Sequence, residues 1–148
     1  ENFSEKVSEP TPERILYVAE ALRRGIEKEY IHSVTMIDLW FLDRIGDIID
    51  MENTLRYMLD CGVNGVKLQL LHVLTDSDLY ENWKRGEIST LTLDEYLDIL
   101  ALLVPIIPDN VAVHRLTGDG SKRTLAAPMW SADKKHVLNA VRQRLGLK

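Results

Sequence analysis

Apolar positions recur along this chain in two rhythms. In the first third the spacing is helical. Ile15, Val18, Ala19, Leu22 and Ile26 fall on one side of a 3.6-residue repeat. Thr11-Pro12-Glu13 supplies a start, with Thr11 as N-cap and Pro12 at the first helical position, and Gly25 supplies a stop. A short second helix fits Lys28–Val34. Asp38 can cap a third, whose Leu39, Leu42, Ile45 and Ile49 share a face, and Glu52–Asp60 reads as a fourth, stopped by Gly62.

The rhythm then changes. Val66-Lys67-Leu68-Gln69-Leu70-Leu71-His72-Val73-Leu74 is short, largely apolar and flanked by Asn64-Gly65 and Thr75-Asp76-Ser77-Asp78, which predicts a buried strand. Its alternation is incomplete, as suits a strand covered on both faces. Asp78–Lys84 reads as a short helix before Gly86. Thr92 and Glu95 fit a capping box ahead of Tyr96, Leu97, Leu100, Leu103 and Val104, and Pro105 and Pro108 end that stripe. Val111–Leu116 predicts a second strand. Ser131 can cap a last helix carrying Val137, Leu138, Val141 and Leu145 on one face.

These elements predict a helix-rich α/β fold: a disordered lead-in over residues 1–10, a helical unit over 11–50, and a βα fragment over 51–148 with two parallel strands. A two-stranded sheet is marginal alone and leaves backbone edges unpaired. A homodimer is therefore expected, with the junction near Asp50 as a hinge for exchange of the helical unit.

Composition changes this picture little. The chain has 148 residues, 45% hydrophobic and 28% charged, as in an ordinary globular chain. No apolar run reaches the roughly 18 residues of a membrane span, and the polar Glu1–Glu9 stretch does not read as a signal peptide. With Cys61 as the one cysteine, an intramolecular disulfide is excluded and a cytoplasmic setting is expected. Cys61 itself reads as a buried small apolar side chain.

Charge is unevenly placed. Residues 111–148 hold eight basic side chains against two acidic ones, a balance of +6, while residues 1–110 hold ten basic and twenty-one acidic. A basic end on an acidic body points to weak binding of a polyanion or tRNA by that end. The competing explanation is that the two ends attract each other or are simply solvated. The candidate anion or RNA site is Gly118, Asp119, Gly120, Ser121, Lys122 and Arg123, with Lys134 and Lys135. Glycines let backbone N–H groups converge on an anion and the basic residues supply charge, yet the GxxxxGK[ST] phosphate loop is missing. Trp130 can stack on a base or pack in the core. His114, Arg115 and Asp119 are too few for a metal site.

Two resemblances bear on function. Residues 10–50, PTPERILYVAEALRRGIEKEYIHSVTMIDLWFLDRIGDIID, resemble the start of the helical oligomerisation domain of the carbamoyl-phosphate synthase large subunit. That region carries no catalytic residues in its family. Residues from about 51 to 148 resemble the C-terminal part of a radical S-adenosylmethionine protein of the bacterial family related to the catalytic subunit of Elongator. The carrying stretches are GVNGVKLQLLHVLTDSDLYENWKRGE, LTLDEYLDILALLVPIIP and VHRLTGDGSKRTLAAPMWSADKKHVLNAV. This resemblance implies part of a (β/α) barrel, S-adenosylmethionine with a 4Fe–4S cluster, and tRNA as substrate of the related group. It also implies nucleotide contact near Leu71 and His72, where a core histidine is the alternative. The CxxxCxxC cluster motif is absent, so no cofactor is expected on this chain, no catalytic residue is assigned, and enzymatic activity is not expected from it alone. Two part-domains meeting near Asp50–Glu52 imply a chimera.

Overall fold

The computed structural model describes residues 3–118 and 120–147. Two compact units divide the chain, Glu1–Tyr57 and Met58–Lys148.

The first unit holds α1 (Phe3–Ser8), α2 (Arg14–Arg23), α3 (Lys28–Thr35) and most of α4 (Leu39–Asp60). The expected disordered lead-in is corrected by α1. Its Val7 is buried with Val18, Ala21, Ile31 and Leu42, and its Phe3 meets Tyr17 edge-on at 6.3 Å. An apolar pair four residues apart is enough to dock one short turn of helix. The expected cap at Thr11 is also corrected: α2 starts later, with Glu13 at the N-cap and no side-chain cap bond. Gly25 does close α2. With φ +74°, it lets its own N–H reach Leu22 O at 2.9 Å and that of Ile26 reach Ala21 O at 3.1 Å.

Asp38 accepts from the Trp40 N–H at 2.8 Å, as a cap should. The helix it opens runs unbroken to Asp60, so the expected pair of helices and the hinge near Asp50 are both corrected. Neither glycine nor proline stands between Ile49 and Asp60. Glu52 there bonds Arg56 one turn on, at 2.9 Å, and Arg23 of α2 at 3.0 Å. Those two guanidiniums hold the Glu52 carboxyl below the usual carboxylate range. The division between units consequently falls inside α4 and not at residue 50.

The second unit holds β1 (Gly65–Lys67), β2 (Val73–Leu74), α5 (Asp78–Lys84), α6 (Leu93–Leu103), β3 (Ala112–Arg115), β4 (Leu125–Ala127) and α7 (Lys134–Leu145). β1 and β3 are parallel, with Gly65 opposite Ala112 and Val66 opposite Val113. The single strand expected over Val66–Leu74 is corrected to two. The register slips between Val66 and Lys67, and the last bond of this side is Leu68 N–H to Arg115 O at 2.9 Å. β3 ends there, so the next residues have no ladder to join. Val73–Leu74 instead pairs antiparallel with β4, a strand the sequence pattern did not predict.

The core of this unit is Leu70, Tyr96, Leu97, Leu100, Val137 and Val141, joining α6, α7 and the segment after β1. α6 has the expected capping box: Thr92 accepts from the Glu95 N–H and the Glu95 carboxylate accepts from the Thr92 N–H at 2.7 Å. α7 is capped by Asp133, which accepts from the His136 N–H at 3.1 Å, and not by Ser131 as expected. The Ser131 hydroxyl donates to Pro128 O at 2.8 Å in the preceding 3-10 turn. Cys61 is exposed, which corrects its expected burial: it follows the last residue of α4 and enters the turn at Gly62. No helix among the described residues is long and apolar enough to cross a membrane.

Candidate functional site

The C-terminal ends of the parallel strands lead into two segments that pack on each other. From β1 the chain runs through Gln69 to His72, and from β3 it runs through Leu116 to the glycine loop. Gly118 and Gly120 both lie against the His72 ring. A Cβ on Gly118 would stand 2.8 Å from His72 Cε1 and 3.2 Å from Gln69 Cγ, and a Cβ on Gly120 would stand 3.0 Å from His72 Cδ2. These two glycines are therefore used for close approach, and the half-buried imidazole fills the space their missing side chains leave. His72 thus packs against the loop. Its neighbour Leu71 points outward at 53% exposure.

Tyr96 fixes the entry to the loop. Its hydroxyl donates to Leu116 O at 2.6 Å, and burial pushes its pKa up to about 12. Trp130 packs: its indole N–H donates to Leu91 O at 2.9 Å and its ring lies 5.9 Å from that of Tyr96. His114 lies over Gly65, far enough out to be exposed, and Asp119 lies outside the described residues.

Of the sequence-predicted anion residues, Gly120, Lys122 and Lys134 come together. They line a shallow pocket of about 190 Å³ together with Ser131 and Ala132. Ser131 had been read only as a cap, and nothing in its sequence position signals a pocket wall. Ser121, Lys122, Arg123 and Lys135 are exposed. Arg144 turns back to Asp98 and Asp94 of α6. By contrast Arg115, Lys122, Arg123, Lys135 and Arg142 have no ion-pair partner among the described residues. Among the described residues, pairing of the basic end with the acidic body is thus seen for Arg144 and not for these five. The described residues contain no group of three His, Cys, Asp or Glu side chains placed to hold a metal ion.

The described chain is thus a helical unit followed by a small βα unit with an exposed basic loop. The chain belongs to two families: the carbamoyl-phosphate synthetase large chain oligomerisation domain, matched over residues 1–91, and the Radical_SAM C-terminal domain, matched over residues 63–146. Residues 63–91 are shared by both matches.

The chain is 35% identical over 95 residues to the uncharacterized protein YtqA of Bacillus subtilis, which covers 64% of this chain and 30% of the relative. It is 56% identical over 43 residues to the carbamoyl phosphate synthase large chain of Agathobacter rectalis, covering 29% of this chain and 4% of the relative. It is 28% identical over 81 residues to protein YhcC of Escherichia coli K12, covering 55% of this chain and 26% of the relative. The chain thus spans less than a third of the length of these curated relatives.

Proposed function

We propose that this chain is a chimera of two part-domains whose activity is self-association, without catalysis of its own. The observation that carries this reading is the match of residues 1–91 to a family described as an oligomerisation domain. The catalytic half of the reading rests on sequence. A cluster of the radical S-adenosylmethionine type takes three cysteine thiolates within one CxxxCxxC motif, and Cys61 is the chain's one cysteine. Light scattering after size exclusion tests the association. Iron analysis after anaerobic reconstitution tests the other half: substoichiometric, loosely held iron is expected, and one cluster per chain would overturn it.

A second reading is favoured by the five basic side chains that have no ion-pair partner among the described residues. In it the C-terminal unit binds a polyanion such as tRNA through the Gly118–Arg123 loop, with Lys134 and Lys135 beside it. Each phosphate neutralised releases counterions, so affinity should fall steeply between low and physiological salt. Lys122→Ala with Arg123→Ala should weaken tRNA binding by about tenfold or more at low salt and flatten the salt dependence, since two contacts are removed. Filter binding across a salt series measures both. Equal binding by the double variant would exclude the loop.

A further inference from the structure

Single-stranded nucleic acids are bound by two means together: charge along the backbone, and aromatic side chains on which the bases stack. The Met58–Lys148 unit has four aromatic side chains, Tyr80, Trp83, Tyr96 and Trp130, and each is engaged within the unit. Tyr96 is 5% exposed and lies in the core. Trp130 is next to Ser131 of the pocket wall, yet its N–H goes to Leu91 O and its ring packs on that core. Tyr80 and Trp83, both half-buried, stack on each other at 5.9 Å, and Lys84 Nζ lies 4.8 Å from the Tyr80 ring centre. The His72 ring is taken up by Gly118 and Gly120. On the α7 side of the pocket the exposed imidazole is that of His136, two positions after Lys134.

What this surface offers is charge on a seated backbone. Lys122 and Lys134 come from separate segments and line one pocket of about 190 Å³, with room for a phosphate group. Arg123 and Lys135, their neighbours in the chain, are exposed. The loop between them is held by the packing of His72 and by the Tyr96 hydroxyl on Leu116 O. Charge without stacking favours a stiff partner with closely spaced phosphates. A duplex carries about one charge per 1.7 Å of axis and releases more counterions per contact than a single strand does. Double-stranded RNA is recognised mostly by shape and by contacts to its backbone. A flexible strand must be ordered as it binds, and no stacked ring is there to offset that cost. Resting on the second reading above, we infer that the pocket and its loop take a double-stranded RNA stem, held through its phosphates without regard to base sequence.

Filter binding of the full chain at low salt tests this with a short RNA duplex, each of its separated strands, and a second duplex of unrelated sequence. The two duplexes should bind alike, and about tenfold or more tighter than the single strands, with affinity falling more steeply as salt rises. His136→Ala keeps the backbone N–H that Asp133 accepts, so α7 retains its cap. It should leave duplex binding within about twofold, since no base stacks on that ring. Single strands that bind as tightly as the duplex, or a loss of about tenfold on His136→Ala, would show that stacking carries the contact. Duplexes that differ by about tenfold would show that bases are read. In each of these cases the inference fails and the second reading stands. If neither duplex nor single strand binds at low salt, the second reading falls and the inference with it.

Discussion

Replacing Leu100 by alanine is expected to lower the stability of the Met58–Lys148 unit by about 2–5 kcal/mol, the usual range for emptying a filled core site. Leu100 is 1% exposed and lies at the centre of the cluster that joins α6 to α7 and to Leu70. Its neighbours sit on three separate elements, so collapse into the cavity would require all of them to move together. The loss should appear in urea unfolding as a lowered midpoint at unchanged slope. Leu102→Ala, two residues away and 56% exposed, should change the midpoint by well under 1 kcal/mol. Equal effects of the two substitutions would contradict the packing described for α6.

The second large effect is alkaline. Burial raises the Tyr96 pKa from 10.0 to about 12. The folded state therefore keeps the phenolic proton over a range in which the unfolded chain has lost it. Its contribution is fully present below pH 10.0 and is lost as pH rises toward about 12. The size is on the order of 2–3 kcal/mol. Tyr96→Phe should abolish that part of the alkaline slope. At neutral pH it should cost about 1 kcal/mol, because Leu116 O loses its donor in a part-buried setting. Urea midpoints for wild type and Tyr96→Phe across the alkaline range separate the two contributions. A slope that persists in the variant would assign the loss to other groups.

Much of this fold was legible in the sequence, and the failures share a cause. The capping box at Thr92 and Glu95, the Gly25 stop and the Asp38 cap depend on neighbours in the chain, and they appear as read. The parallel pairing of Gly65–Lys67 with Ala112–Arg115 also followed from the apolar pattern. What was missed depends on partners distant in sequence. Phe3 and Val7 become helical by docking on Tyr17, Val18 and Ala21. β4, only Leu125–Ala127, carries too weak a strand signature to be read without Val73 and Leu74 beside it. The unbroken α4 was missed because the apolar stripe of Leu42, Ile45 and Ile49 meets polar Glu52 and Asn53 before apolar positions resume at Leu55, although no helix-breaking residue stands there.

The candidate site was legible in kind more than in arrangement. Glycines and basic residues after β3 were evident, and Gly120, Lys122 and Lys134 do share a pocket. That Gly118 and Gly120 are glycines in order to admit the His72 ring could not be read, because the ring arrives from a segment more than forty positions earlier in the chain. Trp130, readable as a base-stacking platform, is instead tied to Leu91 and Tyr96.

The central claim is that these two part-domains form a self-associating chain. Sedimentation equilibrium of the full chain, from low to high micromolar concentration, tests it most directly. The account predicts a mass that rises with concentration toward twice 16.9 kDa. A single species of 16.9 kDa across the whole range would contradict it.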